Sequence, residues 1–123
     1  MGLYGIYGSH PTEKCPWNNA ESRKVILEHG LKTVEEASKV NIKIINQYHS
    51  ALEHTFVWVV EANDAHLVQS FFTTSYLSKI NALKVVPLIT YSDVIEHCKK
   101  IITFLNICSF LLTSFIYSDV NSF

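Results

Sequence analysis

The sequence predicts an α+β domain followed by an apolar C-terminal segment. In the first hundred residues, β-prone runs alternate with segments of helical spacing, and turn or capping residues separate them. After Lys100 the charged residues stop for a long stretch. A chain of 123 residues can form one domain with one modest core. We therefore expect an α+β domain over residues 1–100 and a separate segment over residues 101–123.

The first strand and the first helix are indicated by contrasting patterns. Residues 3–9 are rich in aromatic and β-branched side chains between glycines, which is typical of a strand. A loop with two prolines follows, and Asn18 or Asn19 can cap a helix over residues 20–29. Gly30 is a favourable residue for the end of that helix.

Three further strands are expected downstream. Residues 41–49 and 54–62 are β-prone, and the four-residue link between them has a length typical of a hairpin. Both faces of the third strand are largely apolar, so we expect it to be central and covered on both sides. Residues 80–91 supply the fourth strand. Pro87 cannot donate to a ladder, so we place this strand at a sheet edge.

Three further helices are indicated by their first residues. Thr33 is followed three residues later by Glu36, a capping box that predicts a short helix ending near Lys39. Asp64 is the expected N-cap of a helix whose apolar residues recur at helical spacing. Ser92 is the expected cap of the last helix.

The resulting order, β-α-β-β-α-β and then a helix, is the ferredoxin-like arrangement. Over residues 2–96 this order resembles the dimeric α+β barrel superfamily, small domains that commonly pair through their sheets. The resemblance implies a homodimer. Members of that superfamily include monooxygenases, haem enzymes and isomerases, and others only bind small molecules. No catalytic motif of the superfamily occurs in this sequence, so the resemblance assigns no site residues.

Composition argues against several classes of function. Ten basic and eleven acidic residues give a net charge of −1 without a basic cluster, so we expect no nucleic-acid partner. Cys15, Cys98 and Cys108 are an odd number at wide spacing, which favours reduced thiols over a disulfide framework. The N-terminus does not have the pattern of a secretory signal. We therefore expect a cytoplasmic protein.

Four potential metal ligands are predicted to meet at one end of the sheet. His49 and His54 flank the predicted hairpin, and His10 and Cys15 follow the first strand, which ends at the same rim. Histidine and cysteine together suit zinc or another divalent transition metal. The spacing matches no named zinc signature. The alternative is therefore that each histidine is an independent polar residue of the rim.

Two other features could carry function. Cys15 precedes a predicted helix N-terminus, where the helix dipole favours a thiolate, so it is a candidate catalytic nucleophile or redox group. The alternative is a loop cysteine packed against its surroundings. An aromatic set could line a ligand pocket on the open sheet face, or could instead form core or dimer interface. Its members are Tyr4, Tyr7, Phe56 and Trp58.

Residues 101–117 carry no charge at all. As a helix they would span about 26 Å, slightly less than the roughly 30 Å hydrocarbon core of a bilayer. Lys99 and Lys100 precede the segment and Asp119 follows it, which predicts a membrane anchor with the domain in the cytoplasm. A fully buried helix or a swapped dimer helix is the competing interpretation.

Three hypotheses of function therefore stay open at this point. The first is a small ferredoxin-like binding module with a metal held by the His/Cys rim. The second is an enzyme of the α+β barrel type that uses Cys15 or a rim histidine. The third is a tail-anchored cytoplasmic interaction protein.

Overall fold

The computed structural model describes the backbone of residues 1–121 and the side chains of residues 1–116. It divides into two units, of which the first is Met1–Leu88 and the second begins at Ile89. All strands and the short helices belong to the first unit. The second contains a single long helix.

The strands of the first unit are close to those predicted. They are β1 (Gly2–Ser9), β2 (Lys43–Ser50), β3 (Thr55–Ala62) and β4 (Ala82–Leu88). They form one sheet in the order β2-β3-β1-β4, and every neighbouring pair is antiparallel. β3 is therefore internal and β4 lies at an edge, as predicted, with Pro87 in the edge strand.

The helices are α1 (Ala20–His29), α2 (Thr33–Lys39), α3 (Ala65–Thr74), α4 (Leu77–Ile80) and α5 (Tyr91–Asn121). Single 3-10 turns at Thr12–Lys14 and Gly30–Lys32 precede α1 and α2. The structure confirms the α+β class. Its four-stranded antiparallel sheet with helices is compatible with a ferredoxin-like fold.

The core lies between the helices and one face of the sheet. In β3 the residues from Phe56 to Ala62 alternate strictly between buried and half-buried, and the buried set packs with Val68 and Phe72 of α3. The intervening set, which begins at Thr55, is only half-buried. The prediction that both faces of β3 are covered is therefore wrong within this unit, because its helices pack on one side of the sheet.

Two of the four predicted helix caps form as expected, and a third shifts to a neighbouring residue. The side chains of Asn19 and Asp64 accept hydrogen bonds from backbone N–H groups at the starts of α1 and α3, both at 2.9 Å. In α5 the cap is Thr90 instead of Ser92. The Thr90 hydroxyl accepts the N–H of Asp93 at 3.1 Å, while the Asp93 carboxylate accepts the N–H of Thr90 at 3.4 Å.

The junction between α1 and α2 differs from the prediction. Gly30 has φ −58° and ψ −40°, so it continues right-handed into a 3-10 turn and makes no left-handed stop. The chain therefore stays helical into α2. Helix α2 therefore needs no side-chain cap, and Thr33 does not form the predicted capping box with Glu36. Its hydroxyl instead donates back to the carbonyl of His29 at 3.0 Å.

The second unit contains α5, a continuous helix of 31 residues. The apolar segment predicted as a helix over residues 101–117 lies within it. The domain boundary expected at Ile101 therefore falls inside a helix, and its position stays a prediction. Among the described residues, Tyr91–Ile116 is long and apolar enough to cross a membrane, judged by length and composition alone. Its mean hydropathy is 1.4 and none of its most apolar stretch is buried.

Candidate metal centre

His10 continues the buried alternation of β1 past the end of the strand. Residues of even number in β1 face the helices, and His10 shares their parity and is 7 % exposed. Its backbone N–H donates to the carbonyl of His54 at 3.0 Å. This bond extends the β1–β3 ladder one step beyond the pair Ser9 and Thr55. The sheet itself therefore places His10 beside His54.

His54 closes the hairpin in an unusual backbone conformation. It is the last residue of the turn between β2 and β3, and its φ is +53°. A residue with a Cβ in this left-handed region costs about 1–2 kcal/mol relative to the right-handed one. Glycine adopts the same conformation without that cost. The turn therefore carries an imidazole at a position where glycine would fit with less strain.

Cys15 is held rigidly in the loop between β1 and α1. Its N–H donates to the carbonyl of Thr12 at 3.2 Å. Its own carbonyl accepts the N–H groups of Asn18 and Asn19 at 2.9 and 2.8 Å. The residue is a free cysteine and only 1 % exposed. Its role as a nucleophile stays a prediction, and its burial limits contact with dissolved substrates.

These three side chains converge. One potential ligand atom from each of His10, Cys15 and His54 lies within 4.8 Å of the other two. Around a tetrahedral zinc ion with bonds of about 2.0–2.3 Å, ligand atoms lie about 3.3–3.8 Å apart. Closing the observed group onto a metal thus needs each pair of ligand atoms to approach by at most about 1.5 Å on that geometry. Small side-chain rotations can provide such a movement.

The hydrogen bond between His10 and Asn81 orients the imidazole. Asn81 donates its side-chain N–H to the carbonyl of Leu77 at 3.0 Å, which fixes the direction of the amide. The amide oxygen of Asn81 then faces Nδ1 of His10 at 2.7 Å and accepts its proton. The lone pair of His10 is therefore left on Nε2. Metal-binding histidines usually show this arrangement, with the second ring nitrogen donating to an oxygen acceptor.

The two imidazoles leave nitrogens without partners inside the protein. Nε2 of His10 and Nδ1 of His54 are both buried, and neither has a hydrogen-bond partner among the residues that the structure describes. A buried polar atom without a partner costs about 1–3 kcal/mol. Two such atoms beside a buried thiol are therefore an expensive arrangement unless a ligand joins them.

His49, the fourth predicted ligand, lies next to this group and outside it. Its ring stacks on that of His10, with centroids 5.6 Å apart and planes 6° from parallel. The residue is largely exposed, but the stacking excludes water from one face of its ring. This desolvation lowers the pKa of His49, and the nearby charges of His10 and then His54 lower it further. Whether His49 is a ligand stays a prediction.

A cleft of about 600 Å³ opens beside the three residues on the covered side of the sheet. His10 and His49 form part of its wall. None of the residues that line it is acidic, lysine or arginine. The apolar part of the lining comes from Pro16, Trp17, Ile26, Ala51, Phe56, Trp58, Leu77 and Ile80.

The predicted aromatic pocket is divided between the two faces of the sheet. Tyr4, Phe56 and Trp58 belong to the buried core on the covered face. Tyr7 points to the other face and is 41 % exposed. Phe56 and Trp58 also line the cleft beside the histidines. The four side chains therefore do not form one pocket on the open face.

Sequence analysis missed Asn81. This residue follows α4 and reaches His10 across 71 positions of the chain. No motif marks it. A usable signal is topological, because the start of β4 pairs with the end of β1 and so puts Asn81 at the same rim as His10. Tyr76, which precedes α4, also lines the cleft.

Comparison with protein families gives a match. The model of a family described as a domain of unknown function (DUF3303) matches residues 12–102, which are 91 of the 123 residues. No curated protein sequence matches the chain. The matched region contains Cys15, His49, His54 and Asn81, and it begins two residues after His10. The chain therefore belongs to the DUF3303 family.

Proposed function

We propose that the protein is a metal-binding module in which His10, Cys15 and His54 hold a divalent transition metal ion. The observation that supports it most is that His10 and His54, each with a buried ring nitrogen that has no partner among the described residues, converge with the buried Cys15. A metal ion bound between the three side chains would give these nitrogens a partner. It would also account for an imidazole in the left-handed turn at His54.

The chemistry of the three donors favours zinc. Two imidazole nitrogens and one thiolate are borderline to soft ligands, which suit zinc and its neighbours in the transition series. The converging group contains no carboxylate, so magnesium and calcium, which take oxygen ligands, are poor candidates. Binding would release the thiol proton of Cys15.

The metal content of protein purified without an affinity tag tests the proposal. We expect one equivalent of metal in the wild type after incubation with Zn²⁺ and gel filtration, and less than about a tenth of that in Cys15→Ser, since the hydroxyl is a weak zinc ligand. His66→Ala is the matched control. His66 lies exposed on α3, outside the converging group, and its loss should leave the metal content unchanged.

His54→Gly separates metal binding from folding. Glycine relieves the left-handed backbone at position 54, so the metal-free variant should be at least as stable as the metal-free wild type. The same variant should lose the metal. Wild-type protein that takes up no metal, or a His54→Gly variant that still binds one equivalent, would refute the proposal.

We also propose that the domain is ferredoxin-like and forms a homodimer through its open sheet face. The strand order β2-β3-β1-β4 with antiparallel pairing supports a ferredoxin-like domain. The open sheet face carries Tyr7, Tyr48 and Val86, all substantially exposed, and pairing of two copies through this face would cover them. Light scattering after gel filtration tests this. The mass of two chains is expected for the wild type, and the mass of one chain for Tyr48→Lys.

A second candidate role is attachment to a membrane through α5. The supporting observation is that the most apolar stretch of this helix is not buried. Lys99 and Lys100 directly precede its uncharged stretch, residues 101–117, and would favour retention of the domain on the cytoplasmic side. This role is compatible with metal binding, because the converging residues all belong to Met1–Leu88.

A further inference from the structure

We infer that the cleft beside the metal centre binds a small, uncharged, ring-containing molecule, whose single nitrogen or oxygen donor completes the coordination of the metal. This inference rests on the proposed metal site and goes one step further. It assigns the centre to ligand binding instead of a purely structural role.

The number of protein ligands is the first reason. Structural zinc sites are closed by four protein ligands, whereas sites that bind exogenous molecules have three and keep one position open. In the described part of the chain, three potential ligands converge here. The fourth histidine of the rim, His49, lies stacked on His10 and outside that group.

The position of His10 is the second reason. It belongs to the converging group and also lines the cleft, so the open side of the centre and the cleft are contiguous. His10 is more than nine-tenths buried, and its Nε2 has no partner among the described residues. A molecule in the cleft would therefore lie against a residue of the converging group, from which its donor would extend to the metal.

The lining of the cleft defines the class of ligand. Its volume of about 600 Å³ fits a small organic molecule. The walls contain no charged side chain of Asp, Glu, Lys or Arg, so a ligand with a formal charge would lose its hydration without an ion pair. The ring of Trp58 is held by a tilted contact with Phe56 and an edge contact with Phe72. A fixed aromatic wall of this kind favours a flat apolar ring.

The opposite face of the sheet offers a different environment. A cleft of about 640 Å³ there is lined by Lys84 and by the hydroxyl-bearing Tyr7, Tyr48 and Thr55, among others. It contains none of the three converging residues. The combination of an apolar wall with the unpartnered nitrogen of His10 therefore favours the cleft on the covered face.

Cobalt-loaded full-length protein allows a direct test. Co²⁺ replaces zinc in such sites and its visible spectrum changes when a ligand enters. We would titrate the protein with imidazole and with 4-phenylimidazole, which present the same donor and differ by one apolar ring. Both should shift the spectrum, and 4-phenylimidazole should bind at least about tenfold more tightly, because its ring leaves water for the cleft.

A matched pair of variants locates the binding. Ala51 lines the cleft, so Ala51→Trp should place a large side chain in it and weaken binding of 4-phenylimidazole by about tenfold or more. Ala20 lies exposed at the start of α1 and does not line the cleft, so Ala20→Trp should bind both compounds as the wild type does. Cobalt stoichiometry is measured for each protein beside its titration.

The outcomes separate the two proposals. Absence of bound cobalt in the wild type would overturn the metal site itself. Bound cobalt whose spectrum is changed by neither compound would support the metal site but refute the open coordination position. Equal affinity for the two compounds, or an Ala51→Trp variant that retains the preference, would overturn the cleft as the binding site.

Discussion

The Met1–Leu88 unit and helix α5 are both rich in apolar residues, but the first unit buries many of them whereas α5 leaves them exposed. In the first unit, Ile6, Val60 and Phe72 are fully buried against one another. In α5, by contrast, Phe110 is 71 % exposed and Leu112 is 64 % exposed. The first unit therefore has a hydrophobic core of its own. The apolar surface of α5 would instead have to be covered by a membrane or by another protein.

Polar side chains therefore have different energetic consequences in the two units. The core of the first unit is packed and shielded from solvent, so an unpartnered nitrogen such as Nε2 of His10 costs free energy there. In α5 the polar side chains can bond to the helix itself. The hydroxyls of Thr103 and Thr113, for example, donate to carbonyls four residues earlier.

The largest expected effect concerns the cover of α5. We predict that the full chain co-sediments with phosphatidylcholine vesicles and that a chain ending at Thr90 stays in the supernatant, folded and able to bind metal. The double variant Ile107→Lys/Leu111→Lys should also stay in the supernatant, since each lysine costs about 2.5–3.5 kcal/mol near the centre of a membrane helix. Full chain that is soluble without detergent would contradict a membrane role and favour a protein cover.

Packing inside the first unit supplies the next test. A methyl group at Gly8 would overlap the ring of Phe56 on the covered face of the sheet. Gly8→Ala should therefore lower the free energy of unfolding by about 3 kcal/mol, at the upper end of the overpacking range. Leu111→Ala, a larger change on exposed α5, should alter unfolding of the sheet by less than about 0.5 kcal/mol. Urea unfolding followed by tryptophan fluorescence measures both, and similar losses would contradict the contrast between the units.

The hydrogen bond from His10 to Asn81 provides a finer test of the metal centre. Asn81→Leu removes the acceptor for Nδ1 of His10, and losses of this kind weaken metal binding by about 10–100-fold. Asn81→Asp keeps an oxygen acceptor and should retain most of the affinity. Both variants lose the bond from Asn81 to Leu77, so their difference isolates the acceptor. Competition with a chromophoric zinc chelator measures the affinities, and equal weakening in both variants would refute the orienting role.

The smallest expected effect is the pH dependence of the metal-free protein. The pKa of His49 is lowered in the folded state by partial desolvation and by His10 and His54, whereas in the unfolded chain it is near 6.5. Below about pH 6.5 the unfolded chain therefore binds more protons, and stability should fall as the pH decreases towards the folded pKa. His49→Ala should flatten this slope between about pH 5 and pH 7. Urea midpoints across that range measure it, with His66→Ala as control, and an unchanged slope in His49→Ala would contradict the assignment.

The sequence predicted the parts of the fold that depend on short-range periodicity. The alternation in β3, the cap at Asn19 and the edge position marked by Pro87 all follow from local patterns. The meeting of His10 and His54 was also predictable, because an antiparallel sheet places the end of β1 beside the β2–β3 turn. Only the order of the elements was needed for that conclusion.

Other parts could not be read from local patterns. The right-handed conformation of Gly30 depends on how α1 leads into α2, and glycine itself permits either hand. The positive φ of His54 runs against its own preference and is imposed by the turn. The contact between His10 and Asn81 depends on the packing of α4 near the start of β4, which no sequence period encodes.

The central claim is that one thiolate and two imidazoles form a metal site, and X-ray absorption spectroscopy of the zinc-loaded full chain tests it most directly. We predict one sulfur ligand at about 2.3 Å and nitrogen or oxygen ligands at about 2.0–2.1 Å, with imidazole scattering from two rings. A zinc environment without sulfur in the wild type, or with more than one sulfur, would contradict the site formed by His10, Cys15 and His54.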